Sequence, residues 1–116
     1  MLTLTVRNLL PAATFILATI LLPRSAAAQD VKKGEQVYAA QKCQTCHAIA
    51  GKGNKTNPLD GVGAKLSADE IKEWITHPTE MTAKMKSTKK PPMPAKYGTL
   101  PAADLDALVA YIQSLK

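Results

Sequence analysis

Cys43-Gln44-Thr45-Cys46-His47 decides how this chain is read. Two thiols two residues apart, with a histidine directly after the second, form the attachment signature of a c-type haem. On one turn of helix, Cys43 and Cys46 (i, i+3) share a face, so both sulfurs can reach the two vinyl groups on one porphyrin edge. His47 follows one position on, where its imidazole can bind the iron from the proximal side. Two other uses of the thiols explain less. A bare redox CxxC pair would leave His47 without a role and lacks a surrounding βαβ pattern. A Cys2His2 zinc site would need His77, which lacks the paired-histidine spacing of such sites.

Upstream, Arg7 precedes an apolar run from Leu9 to Leu22, and Pro23-Arg24-Ser25 leads into Ala26-Ala27-Ala28 before Gln29. That is the order of a secretory signal peptide, so residues 1–28 are expected to be cleaved near Ala28/Gln29. An uncleaved anchor is the alternative, but the run is shorter than the roughly 20 residues a spanning helix needs. The mature domain would be residues 29–116, with 13 basic and nine acidic side chains, every basic one a lysine. A chain this short builds a small core unless a cofactor fills it.

Within the mature chain, Asp30 is placed to cap a helix starting at Val31 and running to the cysteines. Gly34 and Tyr38 share one of its faces, and a glycine there suits a helix crossing. Residues 49–66, with Gly51, Gly53, Asn54, Asn57, Pro58, Gly61 and Gly63, read as a loop long enough to wrap something. The Pro58 carbonyl is the candidate acceptor for the outer N–H of His47. Ser67-Ala68-Asp69-Glu70 is a capping box opening a helix with Ile71, Trp74 and Ile75 on its apolar face, stopped by Pro78. His77 reads as an exposed residue at that helix end.

Three methionines follow: Met81, Met85 and Met93. Pro91, Pro92 and Pro94 hold the backbone around Met93 extended, a good way to present one thioether at a fixed point. Met93 is therefore the first candidate for the second iron ligand and Met85 its competitor. Met81 and Met85 read as packing residues in a more flexible polar stretch. Lys84, Lys86, Lys89, Lys90 and Lys96 make a local cationic rim suited to an acidic partner. Without a mature arginine or an aromatic-interleaved basic patch, nucleic acid is not the expected partner. Pro101 opens a last helix with Leu105, Leu108, Val109, Ile112 and Leu115 as its stripe and Tyr111 beside it.

These features together resemble the class I c-type cytochromes, small soluble monohaem proteins, over essentially all of residues 30–116. The resemblance is carried by Gly34-x-x-x-Tyr38, Cys43-x-x-Cys46-His47, the Pro58-Leu59-Asp60-Gly61-Val62 loop, Trp74-Ile75-x-x-Pro78, Met93-Pro94, and Leu108-x-x-Tyr111. It implies an all-α fold of three to four helices and long loops around one covalently attached haem c. The first and last helices would cross at Gly34, the Pro58 carbonyl would orient His47, and Met93 would complete the iron's coordination. Trp74 would lie in the helix lining the methionine side. The chain departs from the family in a Pro58 loop one residue shorter than Pro-x-Leu-x-Gly and in a longer segment before Met93.

The function so implied is a monomeric periplasmic electron carrier, not an enzyme, cycling one His/Met-ligated iron between ferric and ferrous states. It would dock acidic redox partners through the lysine rim, without stable membrane insertion. A haem subunit of a larger oxidase or dehydrogenase complex is one alternative. The other is an enzyme or gas sensor with an open sixth position.

Overall fold

Ala26–Ala40 forms one helix, α1, in the computed structural model, which describes residues 26–116. The helix starts four residues before the expected cap, so Asp30 lies inside it. The alanines ahead of Asp30 are the best helix formers and extend the helix backward. The expected signal segment lies outside the described residues up to residue 25, and its last three alanines form the first turn of α1. Beyond Ala40, Lys42 takes a left-handed conformation (φ 57°) that reverses the chain into a 3-10 turn at Cys43–Thr45.

The C-terminal helix α5, Ala102–Gln113, lies across α1. Gly34 is buried at the crossing, where a Cβ would strike the Ala107 carbonyl and stand 2.5 Å from Tyr111 Cβ. No larger residue lets the two backbones approach this closely. The Tyr38 and Tyr111 rings meet edge to face beside it, 5.7 Å apart. Tyr38, Leu105, Leu108, Val109 and Ile112 form the core with Ile71 and Ile75 of the next helix described. The Tyr38 hydroxyl is buried without a hydrogen-bond partner, and burial pushes its pKa up to about 12. Two exposed ion pairs, Lys33–Asp104 at 3.0 Å and Lys72–Asp106 at 3.2 Å, add little energy but pin α5 at its start.

Helix α3, Ala68–Thr76, opens on the expected capping box: Ser67 Oγ accepts from the Glu70 N–H and Glu70 accepts from the Ser67 N–H. Ile71 and Ile75 are buried, whereas Trp74 is only partly so. The Ser67 N–H donated to it, with a smaller effect of the Ser67 hydroxyl, holds the Glu70 carboxyl below the usual glutamate range. The contribution is complete above the pKa of an unfolded glutamate and is lost as pH falls through the lowered folded value. A Glu70→Gln protein should therefore melt below the wild type by a constant margin above about pH 5.5, and the margin should vanish in acid. A margin that does not change with pH would contradict the charged capping box.

Pro78 does more than stop α3. It begins a further short helix, α4 (Pro78–Lys84), at whose first position the missing N–H costs nothing. Met81 is buried on α4, 4% exposed, as expected of a packing residue; Met85, just past it, is 55% exposed and packs little. The loop after the cysteines also carries more structure than a loop. Ala48–Ile49 (β1) and Lys52–Gly53 (β2) pair antiparallel through Ala50-Gly51, both at positive φ. Helix α2, Val62–Lys65, follows, so the all-α expectation holds except for this four-residue hairpin. The C-terminus closes over α2: the Gly63 N–H donates to the Leu115 carbonyl (2.7 Å), and Gln113 Nε2 donates to the Gly63 carbonyl (2.6 Å).

Candidate haem-binding site

The 3-10 turn makes the attachment stretch a single compact unit. The Cys46 and His47 N–H groups both donate to the Cys43 carbonyl, at 3.1 and 3.0 Å. Cys43 is half-buried, Cys46 is exposed, and both thiols are free rather than bridged. Burial pushes the Cys43 thiol up, opposed by a hydrogen bond from its own backbone.

His47 is half-buried behind the turn, and burial lowers its pKa, against a smaller opposing effect of the Asn57 carbonyl. A neutral imidazole is the form that binds iron. Its Nδ1 lies 3.1 Å from the Asn57 carbonyl oxygen. A carbonyl can only accept, so Nδ1 carries the proton and Nε2 keeps a free lone pair. This corrects the expectation for Pro58: the acceptor belongs to Asn57, one residue earlier. The cause is strand geometry. Ala48 forms a parallel bridge with Pro58, its N–H donating to Asn57 and its carbonyl accepting from Leu59 (3.3 and 2.8 Å). Successive carbonyls on an extended strand point opposite ways, so the Pro58 carbonyl faces away from the histidine side.

On the other side of the sequence, Met93 is partly buried and packs against the same apolar cluster as Cys43. Directly after it, Pro94 leads into a 3-10 turn at Ala95–Thr99, which lies on α3. Tyr97 and Leu100 from this segment also pack on the cluster. Of the rival sulfurs, Met85 stands in solvent, while Met81 lines a cleft of about 310 Å³ with Glu73, His77, Glu80 and Lys84. His77 is exposed as expected, its Nδ1 2.8 Å from Thr76 Oγ1. No cluster of three or more metal-binding His, Cys, Asp or Glu side chains occurs among the described residues.

The lysines of the rim are exposed. Lys84 pairs loosely with Glu73 at 3.9 Å, Lys96 lies 5.2 Å over the Tyr97 ring, and Lys89 reaches the Thr56 carbonyl at 3.4 Å. That last contact brings the lysine loop to the histidine-side loop.

These residues fit a covalently bound haem. Two unbridged thiols share one turn, a neutral imidazole has its outer nitrogen already engaged, and a thioether packs on the cluster that holds Cys43. Sequence reasoning missed Asn57, Gly63, Gln113 and, above all, Asn54, whose contacts bind the attachment turn to the following loop. The Asn54-x-Thr56 spacing is an Asx-turn signature and could have drawn attention to it.

Comparison with curated proteins and with solved structures gave no match. The family model described as Cytochrome c matches residues 31–116, from within α1 through the end of α5. With Cys43-x-x-Cys46-His47 inside the match, the chain belongs to the cytochrome c family, whose members carry covalent haem c and transfer electrons through it.

Proposed function

We propose that the chain is an exported one-electron carrier whose haem iron is held by His47 and Met93 and which docks acidic partners through its lysines. The observation that carries this reading is the His47 arrangement, in which Nδ1 donates to Asn57 and leaves Nε2 free, with Met93 packed on the cluster that holds Cys43. The bound haem supplies the ferric–ferrous couple. Cys43 and Cys46 tether it, and His47, kept neutral and fixed in direction, needs neither to gain nor to lose a proton as the charge changes. Met93 would supply the second iron ligand, which would exclude small ligands and favour a higher potential. Trp74 lies on the helix that would line the methionine side. Among the described residues no helix is long and apolar enough to cross a membrane. The apolar run from Leu9 to Leu22, followed by the Ala26-Ala27-Ala28 cleavage-site pattern, supports cleavage and release into the periplasm.

Carbon monoxide tests the closed site. The reduced holoprotein should bind it poorly at neutral pH, and the oxidised form should show a methionine-to-ferric-iron absorption band. Ready binding with no such band would favour the enzyme or sensor reading instead.

The docking surface is tested by charge. Reversing Lys86 and Lys90 to glutamate should slow electron transfer to an acidic partner by about tenfold at low salt. The difference should shrink as salt shortens the screening length to about 3 Å near 1 M. Rates that do not depend on salt would remove the lysines from docking.

A further inference from the structure

We infer that Asn54 is a positioning residue for His47, locking the attachment turn to the loop whose carbonyl holds the imidazole. The inference rests on His47 being the iron ligand and concerns what sets its direction.

The contacts of Asn54 run both ways. Its N–H donates to the carbonyls of Gln44 and His47, both at 3.0 Å, and its Nδ2 donates to the Thr45 carbonyl at 3.2 Å. Three carbonyls of the Cys43–His47 turn, which carries no side-chain cap, are therefore satisfied by one residue. In the other direction, Asn54 Oδ1 accepts from the Thr56 N–H at 3.0 Å and from Thr56 Oγ1 at 2.7 Å. This Asx turn, with an Asn57 N–H to Asn54 carbonyl contact at 3.5 Å, aims the next peptide. The Asn57 carbonyl then accepts from His47 Nδ1 at 3.1 Å. The result is a closed ring: histidine, turn, Asn54, Thr56, Asn57 and back to the histidine.

Gly53 makes the approach possible. A Cβ there would strike the His47 carbonyl and lie 3.0 Å from the Gln44 carbonyl, and its φ of 104° suits glycine alone. The hydrogen bonds of the Asn54 side chain are exposed and individually weak. Together they constrain one angle, that between the ring of His47 and its acceptor. The strength of that outer hydrogen bond governs how strongly an imidazole donates to a metal. A loosened bond makes His47 a poorer donor to ferric iron and raises the reduction potential.

Asn54→Ala removes both side-chain functions. Asn54→Asp keeps the acceptor for Thr56 and loses only the donor to Thr45. In the reduced holoprotein, the His47 Nδ1 proton can be followed by NMR hydrogen exchange. We expect Asn54→Ala to exchange it roughly fivefold faster, about the net worth of one hydrogen bond, and to move the midpoint potential upward. Asn54→Asp should restore slow exchange. A lower melting temperature in Asn54→Ala with exchange and potential unchanged would overturn the positioning role, leaving Asn54 a structural residue. His47→Ala separates this from the reading beneath it. If that variant keeps the low-spin spectrum of the wild type, His47 is not the ligand and both inferences fall. If it loses the spectrum, the Asn54 result stands or falls by itself.

Discussion

Alanine at Gly63 should destabilise the holoprotein by about 2–3 kcal/mol, although helix propensity alone would favour it by about 1 kcal/mol. The added Cβ would strike the Gln113 carbonyl and lie 2.9 Å from the Leu115 oxygen. Both obstacles are backbone, so no rotamer change relieves them. The end of α5 must move, which strains the Gly63–Leu115 hydrogen bond and the Gln113 side-chain bonds to Gly63 and Leu66 (2.6 and 3.2 Å). Lys116 Nζ, 2.7 Å from the same Gly63 carbonyl, moves with them. Guanidinium unfolding should show a lower midpoint with an unchanged slope. Gly61→Ala is the control. Its φ of 73° strains an L-residue by about 1–2 kcal/mol, yet nothing lies within 4 Å of the new Cβ. If Gly63→Ala costs no more than Gly61→Ala, the C-terminus does not press on α2 as described.

Met93→Ala should change the chemistry rather than the fold. On the proposed tether through Cys43 and Cys46, the haem should stay attached. Reduced protein should bind carbon monoxide readily, and the methionine band should disappear. The potential should fall by a sizeable part of the roughly 0.8 V over which axial ligands set haem potentials. Met85→Ala should leave all three readings unchanged, since that side chain is 55% exposed and sits outside the apolar cluster. If Met85→Ala produces the changes and Met93→Ala does not, the ligand is misassigned, and the more flexible stretch supplies it. Neither variant bears on the family, which rests on the match over residues 31–116.

Much of the molecule is legible in the amino-acid sequence itself. Gly34, Tyr38 and the α5 stripe follow from helical periodicity, a local property of spacing. The capping box at Ser67 and Glu70 is likewise local, because donor and acceptor are three residues apart. What went unread falls between these elements. Helix α4 was hidden because a proline that ends one helix can begin the next, and spacing does not choose between the two. The β1–β2 hairpin was hidden because each strand has two residues, too few for an alternating pattern.

Taken alone, the sequence pointed to a haem attached through Cys43 and Cys46 with His47 beside it, and to two helices crossing at Gly34. The attachment stretch depends on residues within one helical turn and on side-chain chemistry that has few alternatives. The crossing depends on a glycine inside a helical pattern, whose contacts at Ala107 and Tyr111 only the fold supplies. Only the tertiary structure decided which carbonyl receives the His47 proton, because Pro58 and Asn57 differ by the direction of one peptide plane. The Ala48–Pro58 bridge sets that direction, and Asn54 carries the turn to it. The same holds for Gly63. A glycine in a loop usually marks a turn, and only the return of the C-terminus, about fifty residues later, shows that this one leaves room for a backbone.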